Sequence, residues 1–299
     1  MMKTLTKYLN EKLVIFPSQV DEKLVIFPSQ VDEKLVINKN YKSPYTCVPK
    51  SFNELRKIIK NRYKKLGQGT NDNPIDFNDV DVSNIDSFYD KNNDRGIFDE
   101  TKFEYIDISD WNVSNVKYMN YMFDKHEQLK SVGDLSNWDV SNVKNMGDMF
   151  GRCEQLTSVG DLSKWNVSNV ESMSGMFFKC KQLTSVGDLS NWDVSNVEYM
   201  SSMFYGCKQL KSVGDLSDWN VSKLINIGGI FSDCCNLKSV GDLSNWNVSN
   251  IVNMSDMFFN CEQLKSVGDL SNWDVSSVKY MFGMFSNSGI TNIPKWYKE

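Results

Sequence analysis

Trp111, Trp138, Trp165, Trp192, Trp219, Trp246 and Trp273 follow one another at intervals of 27 residues. Other columns keep the same step. Cys153, Cys180, Cys207, Cys234 and Cys261 form one, Asp134 to Asp269 a second, and Phe123 to Phe285 a third. A fixed period held over seven units without an insertion is the mark of a stacked array, in which each unit touches only its neighbours. The unit is too short for a propeller blade, which needs about 40 residues for four strands. It suits one coil of a solenoid.

Within a coil the apolar residues fall mostly three apart: Cys153, Leu156, Val159, Leu162, Trp165, then Val167, Val170, Met173, Met176 and Phe177. This is neither the alternation of a long strand nor the period of a long helix. It fits a polygonal coil whose short sides each turn an apolar residue inward. A single coil cannot bury those residues; stacking makes one continuous core. The fifth coil has Ile227 and Ile230 where the others carry Met. That exchange keeps volume and polarity, so the Met columns read as packing and not as ligands.

The segment CEQLTSVGDLSKWNVSNVESMSGMF, Cys153–Phe177, and its copies resemble the BspA-like leucine-rich repeats of bacterial, mycoplasmal and protist surface proteins. The resemblance spans roughly 105–287 and departs from the leucine-rich pattern by a Gly-Asp insertion and by Trp in place of Asn. It implies an α/β repeat solenoid, a right-handed leucine-rich-repeat-like coil. A parallel β-sheet would run through the LxSV segments, and short helices or turns through MxxMFxxCxxL. It also implies a role in surface adhesion or recognition.

Three regions are expected. Residues 1–40 carry EKLVIFPSQVD twice in tandem and a truncated third copy, read as loose strands or partly disordered chain. Residues 41–78 form an N-terminal cap with a helix at about 51–66. There Ser51 and Glu54 have capping-box spacing, and Phe52, Leu55, Ile58, Ile59, Tyr63 and Leu66 share one face. Residues 79–299 form the solenoid, about seven coils with partial coils at the ends. In it Val80–Phe88 is a decayed copy with Val80 in the Trp slot.

The chemistry-bearing residues are few. The Trp column and the Cys column are expected to be core ladders, since buried Cys behaves as a small apolar residue. One thiol per coil in a straight file does not make the four-ligand centre that zinc needs. His126, the only His, occupies the Cys slot of the first full coil and leaves no second imidazole for a metal or a triad. The Asp of Gly-Asp-Leu-Ser reads as a turn-closing carboxylate. Calcium is the sharper alternative, but no second acidic column lies beside it. No catalytic set, metal site or cofactor is expected, and the chain reads as a non-enzyme.

Residues 1–70 hold 14 basic and 6 acidic residues, whereas the remainder holds 19 basic and 32 acidic. An acidic body argues against nucleic acid as a partner. No 18-residue apolar run is present, so no transmembrane segment is expected, and the N-terminus lacks a secretory h-region. Cell-surface or secreted placement therefore rests on the resemblance, and a cytoplasmic place stays open. The expected function is a monomeric, non-catalytic module that binds a protein or host-surface partner; the alternative is an intracellular scaffold or spacer. The candidate binding face comprises two columns that vary between coils, Lys130, Thr157, Thr184, Lys211, Lys238 and Lys265, and Tyr118, Tyr199 and Tyr280, together with Tyr205.

Overall fold

The structure is a computed structural model that describes residues 45–298. The expectation for the tandem 11-residue repeats falls outside those residues. Helix α1, Phe52–Leu66, begins at Ser51, whose hydroxyl accepts from the Glu54 N–H at 3.3 Å, while Glu54 reaches back to the Lys50 N–H at 2.8 Å. It ends at Gly67 in the left-handed region, a conformation open to glycine. Leu55 and Ile59 are fully buried against the core. Tyr63 meets Phe103 edge-on at 5.0 Å, and Arg62 pairs with Asp79 while lying over the Phe77 ring.

Beyond α1 the chain winds into stacked coils. Strand β1, Ile75–Asp76, pairs in parallel with β4, Ile106–Asp107. Between them lies a small hairpin of β2, Tyr89–Asp90, and β3, Arg95–Gly96. The hairpin explains why 31 residues, not 27, separate bridge partners Ser87 and Tyr118. From there one parallel bridge per coil runs through Tyr118, Asn145, Ser172, Tyr199, Asn226, Asn253 and Tyr280.

The interior is a set of files. Trp111 to Trp273 are 3–5% exposed, and adjacent indoles such as Trp138 and Trp165 stack 6.4 Å apart within 3°. The Phe file stacks at 5.5 Å for Phe150–Phe177 and 6.2 Å for Phe231–Phe258. Each indole donates to a carbonyl of the coil before, Phe77 for Trp111, Ile108 for Trp138 and Leu from Trp165 onward, as Trp192 Nε1 does to Leu162 at 2.9 Å. Each thiol likewise donates to a Phe carbonyl, as Cys207 Sγ does to Phe177 at 3.1 Å. Both files therefore contribute packing and also tie each coil to the one before, through carbonyls that already accept a backbone N–H of their own coil, as Leu162 does from Trp165 and Phe177 from Cys180. His126 fills the first Cys slot and meets the Phe123 carbonyl through Nδ1 and Thr101 Oγ1 through Nε2. Burial holds its pKa down.

Two expectations of the repeat reading are corrected. The sheet through the LxSV segments is confined to the first coils, where β1 pairs with β4 and Tyr105 bridges Ser131. Beyond them the bonds of the Thr and Lys N–H groups are sporadic and long, 3.4 Å for Thr157 N–H to Lys130 and 3.3 Å for Thr184 N–H to Thr157, and one regular bond per coil remains, from a Leu N–H to the next coil's Val carbonyl, as Leu162 to Val186 at 2.9 Å. The reason is local: the next Ser hydroxyl captures the Gly N–H, as Ser185 does for Gly187 at 3.1 Å, and that Gly turns the chain into the left-handed region. The regular bridge lies thirteen residues earlier in the coil, in the Tyr118 column.

The second correction concerns MxxMFxxCxxL, which is a train of turns and not a helix. In the coil of Met173, N–H groups of Met176, Phe178 and Cys180 bond three residues back within the coil. Those of Met173, Gly175, Phe177 and Lys179 instead reach Tyr199, Ser201, Met203 and Tyr205 of the next coil at 2.6–2.9 Å. A helix would keep these donors for itself and leave nothing to join the coils. Two left-handed residues per coil, such as Gly175 and Lys179, hold the turns. The only short helices among the described coils are 3-10 turns at Leu162–Lys164 and Leu270–Asn272.

The Asp column closes turns. Asp188 Oδ1 accepts from the Ser190 N–H at 3.0 Å, and this bonding holds its pKa below the ordinary carboxylate value. Among the described residues no group of His, Cys, Asp and Glu is placed to hold a metal ion, and no helix is long and apolar enough to cross a membrane.

Burial pushes the thiols of Cys153, Cys180, Cys207 and Cys234 far up, and that of Cys261 to about 12. Since the thiolate is the reactive form, only half-buried Cys47 and Cys235 are expected to react promptly with a disulfide reagent under native conditions. The other five should react at the rate of unfolding. Counting fast and slow thiols by absorbance checks this; five fast thiols would contradict the buried file.

Candidate partner-binding faces

The candidate residues do not share one face. Tyr118, Tyr199 and Tyr280 stand on the bridge column, 42%, 44% and 61% exposed. They alternate with Asn145, Ser172, Asn226 and Asn253, so the aromatic groups are spaced along the stack and make no continuous strip. Tyr205 belongs to the turn side. It packs on Phe178 at 5.1 Å, and its hydroxyl bonds to Asp233, which with burial raises its pKa. Arg152 and Lys179 both lie over the Phe178 ring, 5.1 and 5.2 Å from its centroid. This cluster is internally satisfied.

The Lys column lies across the turn segment, at the LxSV side. Its members differ along the stack. Lys130 pairs with Glu104 Oε2 at 2.7 Å and lies over Tyr105. Thr157 and Thr184 donate their hydroxyls to the preceding coil's carbonyls at 3.3 Å. Lys211, Lys238 and Lys265 are exposed, and no described carboxylate pairs with any of them. Lys265 Nζ donates to the Glu262 carbonyl at 2.8 Å. The three successive ammonium groups of coils four to six thus form a free basic strip on an otherwise acidic body. In contrast Lys144 and Lys181, on neighbouring surfaces of earlier coils, pair with Glu171 and Glu154.

Two features escape a reading by residue type. Phe282 is 71% exposed and occupies a slot that other coils fill with Asn, Gly or Ser; comparing the columns position by position reveals it. Asp148, at a left-handed turn position, has its pKa raised to about 6 by burial and by the charge of Asp124, against Arg152 and Lys125. Nothing in its residue type signals this, because it depends on a neighbour one coil away. A folded-state pKa above the unfolded one means the native state binds the proton more tightly. The stabilisation is complete below about pH 4 and lost as pH rises through about 6. Asp148→Asn is therefore expected to stabilise by about 1 kcal/mol at pH 8, discounted for partial solvent screening, and by nearly nothing at pH 4. Asn accepts the left-handed backbone. Urea melts at the two pH values check it; an equal effect at both would remove the charge explanation.

Two stretches of the chain, residues 68–186 and 208–296, match the family model described as Mycoplasma protein of unknown function, DUF285. The chain belongs to the DUF285 family. The matched stretches of this DUF285 chain take in nearly all of the coils. Among curated proteins none matches it. Among solved structures it is similar to a leucine-rich repeat protein from Eubacterium ventriosum, with 16% identity and a TM-score of 0.28 over 62% of this chain. The chain spans 44% of that protein. A second leucine-rich repeat protein, from Bacteroides ovatus, has 17% identity and a TM-score of 0.18, covering 64% of this chain and 66% of its own.

Proposed function

We propose that this DUF285 solenoid is a non-catalytic recognition module that binds an acidic protein surface through Lys211, Lys238 and Lys265. The observation that carries the reading is the free basic strip of coils four to six. Three ammonium groups repeat at the coil spacing, without the carboxylate partners that Lys130, Lys144 and Lys181 have. An isolated Lys on a solvated surface means little; three in line on an acidic body create a local field of opposite sign to the whole, which orients an approaching partner. The rigid core beneath adds to this, since a preformed surface loses little entropy on binding. Display at a cell surface, as the BspA-like resemblance implies, is the setting we favour for such a module.

The test is capture of partners by the intact chain, compared with Lys211→Glu/Lys238→Glu/Lys265→Glu. These side chains are exposed, so the variant should fold with an unchanged melting temperature. The expected result is at least tenfold weaker capture, with a marked loss of wild-type binding between 50 and 300 mM salt, reflecting screening of surface charge. Capture of the same partners at equal strength would reject the Lys strip.

A further inference from the structure

Helix α1 and the β2–β3 hairpin bring three cations to one carboxylate. Arg56 and Lys60, one turn apart on α1, and Arg95 of β3 all face Glu100, in the turn that follows β3. Arg56 Nη2 lies 2.7 Å from Glu100 Oε1, Lys60 Nζ pairs with Oε2, and Arg95 Nη1 stands 3.5 Å from Oε1. Among the described residues only Arg95 has a second carboxylate, Asp90, whose Oδ2 accepts from its Nε at 3.3 Å. The neighbouring Asp99 accepts from the Glu100 N–H at 3.0 Å. Lys57 and Lys64 stand exposed beside Lys60 on the same helix, and no described carboxylate pairs with either.

This arrangement leaves two needs unmet. Arg56 is 8% exposed, and its Nε is buried with no hydrogen-bond partner among the described residues. A buried guanidinium is costly unless its donors are matched. Glu100 in turn is held at φ 68°, in the left-handed region that a residue other than glycine rarely adopts. Lys60 and Arg56 hold its pKa down to about 2, so it stays ionised through neutral pH. Its side chain is 49% exposed, so a solute reaches this cluster from outside.

We infer that Arg56, Lys60 and Arg95 form a binding site for a phosphate-type oxyanion, and that Glu100 is its internal occupant, displaced when the anion enters. The shortfall selects the ligand. A carboxylate has two oxygens, and Glu100 gives one to Arg56 and the other to Lys60. That leaves Arg56 Nε unpaired and Arg95 at the limit of reach. A tetrahedral anion brings more oxygens and a second charge. It can take the Arg56 fork through two oxygens and still meet Lys60 and Arg95. Lys57 and Lys64 add a positive field that draws a dianion to the same helix face. The site lies on α1 and the hairpin, apart from the Lys strip of coils four to six.

The experiment is isothermal titration calorimetry of the full chain at constant ionic strength in chloride, with inorganic phosphate and a phosphoserine peptide as probes. The expected result is one saturable site for phosphate. It should be at least tenfold tighter in Glu100→Gln, where the internal competitor is neutral, and at least tenfold weaker in Lys60→Gln/Arg95→Gln. A gain of affinity cannot come from misfolding, so the Glu100→Gln arm decides even if the double variant is unstable. A peptide that binds at least tenfold tighter than the free ion assigns the site to a phosphorylated segment; equal affinity assigns it to the ion itself. Lys211→Glu/Lys238→Glu/Lys265→Glu should leave binding unchanged, so the outcome is independent of the flank reading. Absence of a saturable site in both the parent and Glu100→Gln, or equal affinity of the two for phosphate, overturns the inference.

Discussion

Trp192→Ala is expected to cost about 4 kcal/mol, the cost of emptying a packed aromatic site in a well-filled core. Trp192 is 3% exposed, in mid-file, and donates to the Leu162 carbonyl at 2.9 Å. Removal therefore has two consequences: a cavity between coils, and the loss of the side-chain bond that joins them, although the Leu162 carbonyl keeps its bond from the Trp165 N–H. Neighbouring coils cannot collapse into the space, because each is held to the next by its own backbone ladder. For a domain of this size the loss should lower the melting temperature by about 10 °C. Trp296 stacks on Trp273 at 6.2 Å and donates to the Leu270 carbonyl, but it is only half-buried at the end of the file. Trp296→Ala should cost less than half as much. Thermal melts of the two variants check the comparison; equal losses would mean that the file does not act as a continuous core.

Gly214→Ala is the second large effect, expected at about 3 kcal/mol against about 1 kcal/mol for Gly206→Ala. Both glycines are left-handed, with φ of 91° and 73°. They differ in what a methyl group would meet. At Gly206 the nearest atoms are those of Lys179, 3.4 Å away, which is ordinary contact at its tight limit. At Gly214 the methyl would fall on Asp188 Oδ1 and lie 3.1 Å from the Leu189 N. That carboxylate is fixed by the Ser190 N–H and cannot move without opening its own turn. The Gly and Asp columns are thus one device: each Gly makes room for the turn-closing Asp of the coil before. Chemical denaturation of both variants gives the difference directly. A Gly214→Ala cost no larger than that of Gly206→Ala would show that the carboxylate yields.

The solenoid was legible in the sequence because its cause is written in every coil. A fixed period forces equal units, and apolar residues at steps of three force an inward-facing side at each corner. The one irregular coil was legible only in part. Val80–Phe88 reads as a decayed copy, but the four extra residues become intelligible only once the β2–β3 hairpin is seen.

The assignment of strand and helix within a coil was not legible, for a physical reason. LKSV has strand-like composition, yet its Ser hydroxyl takes the Gly N–H and ends the pairing. MSGMFFKC has the composition of a short helix, yet its donors point along the stack. In both cases the outcome depends on whether an N–H finds its acceptor inside the coil or in the next one, which composition does not encode. The candidate faces suffered in the same way. Lys130 and Lys211 share a column and differ in partner, because Glu104 stands beside only the first.

The most direct test of in-register stacking is removal of one whole coil, residues 185–211, which restores the LTSV junction between Thr184 and Ser212. If each coil is an equivalent layer, the 272-residue chain keeps every file and every inter-coil bond at the new junction. Its near-ultraviolet circular dichroism melt should then remain a single cooperative transition, within about 5 °C of the parent, since only one nearest-neighbour interface is lost. A chain that has lost its near-ultraviolet signal, or that melts without a transition, would contradict the stacking of interchangeable coils.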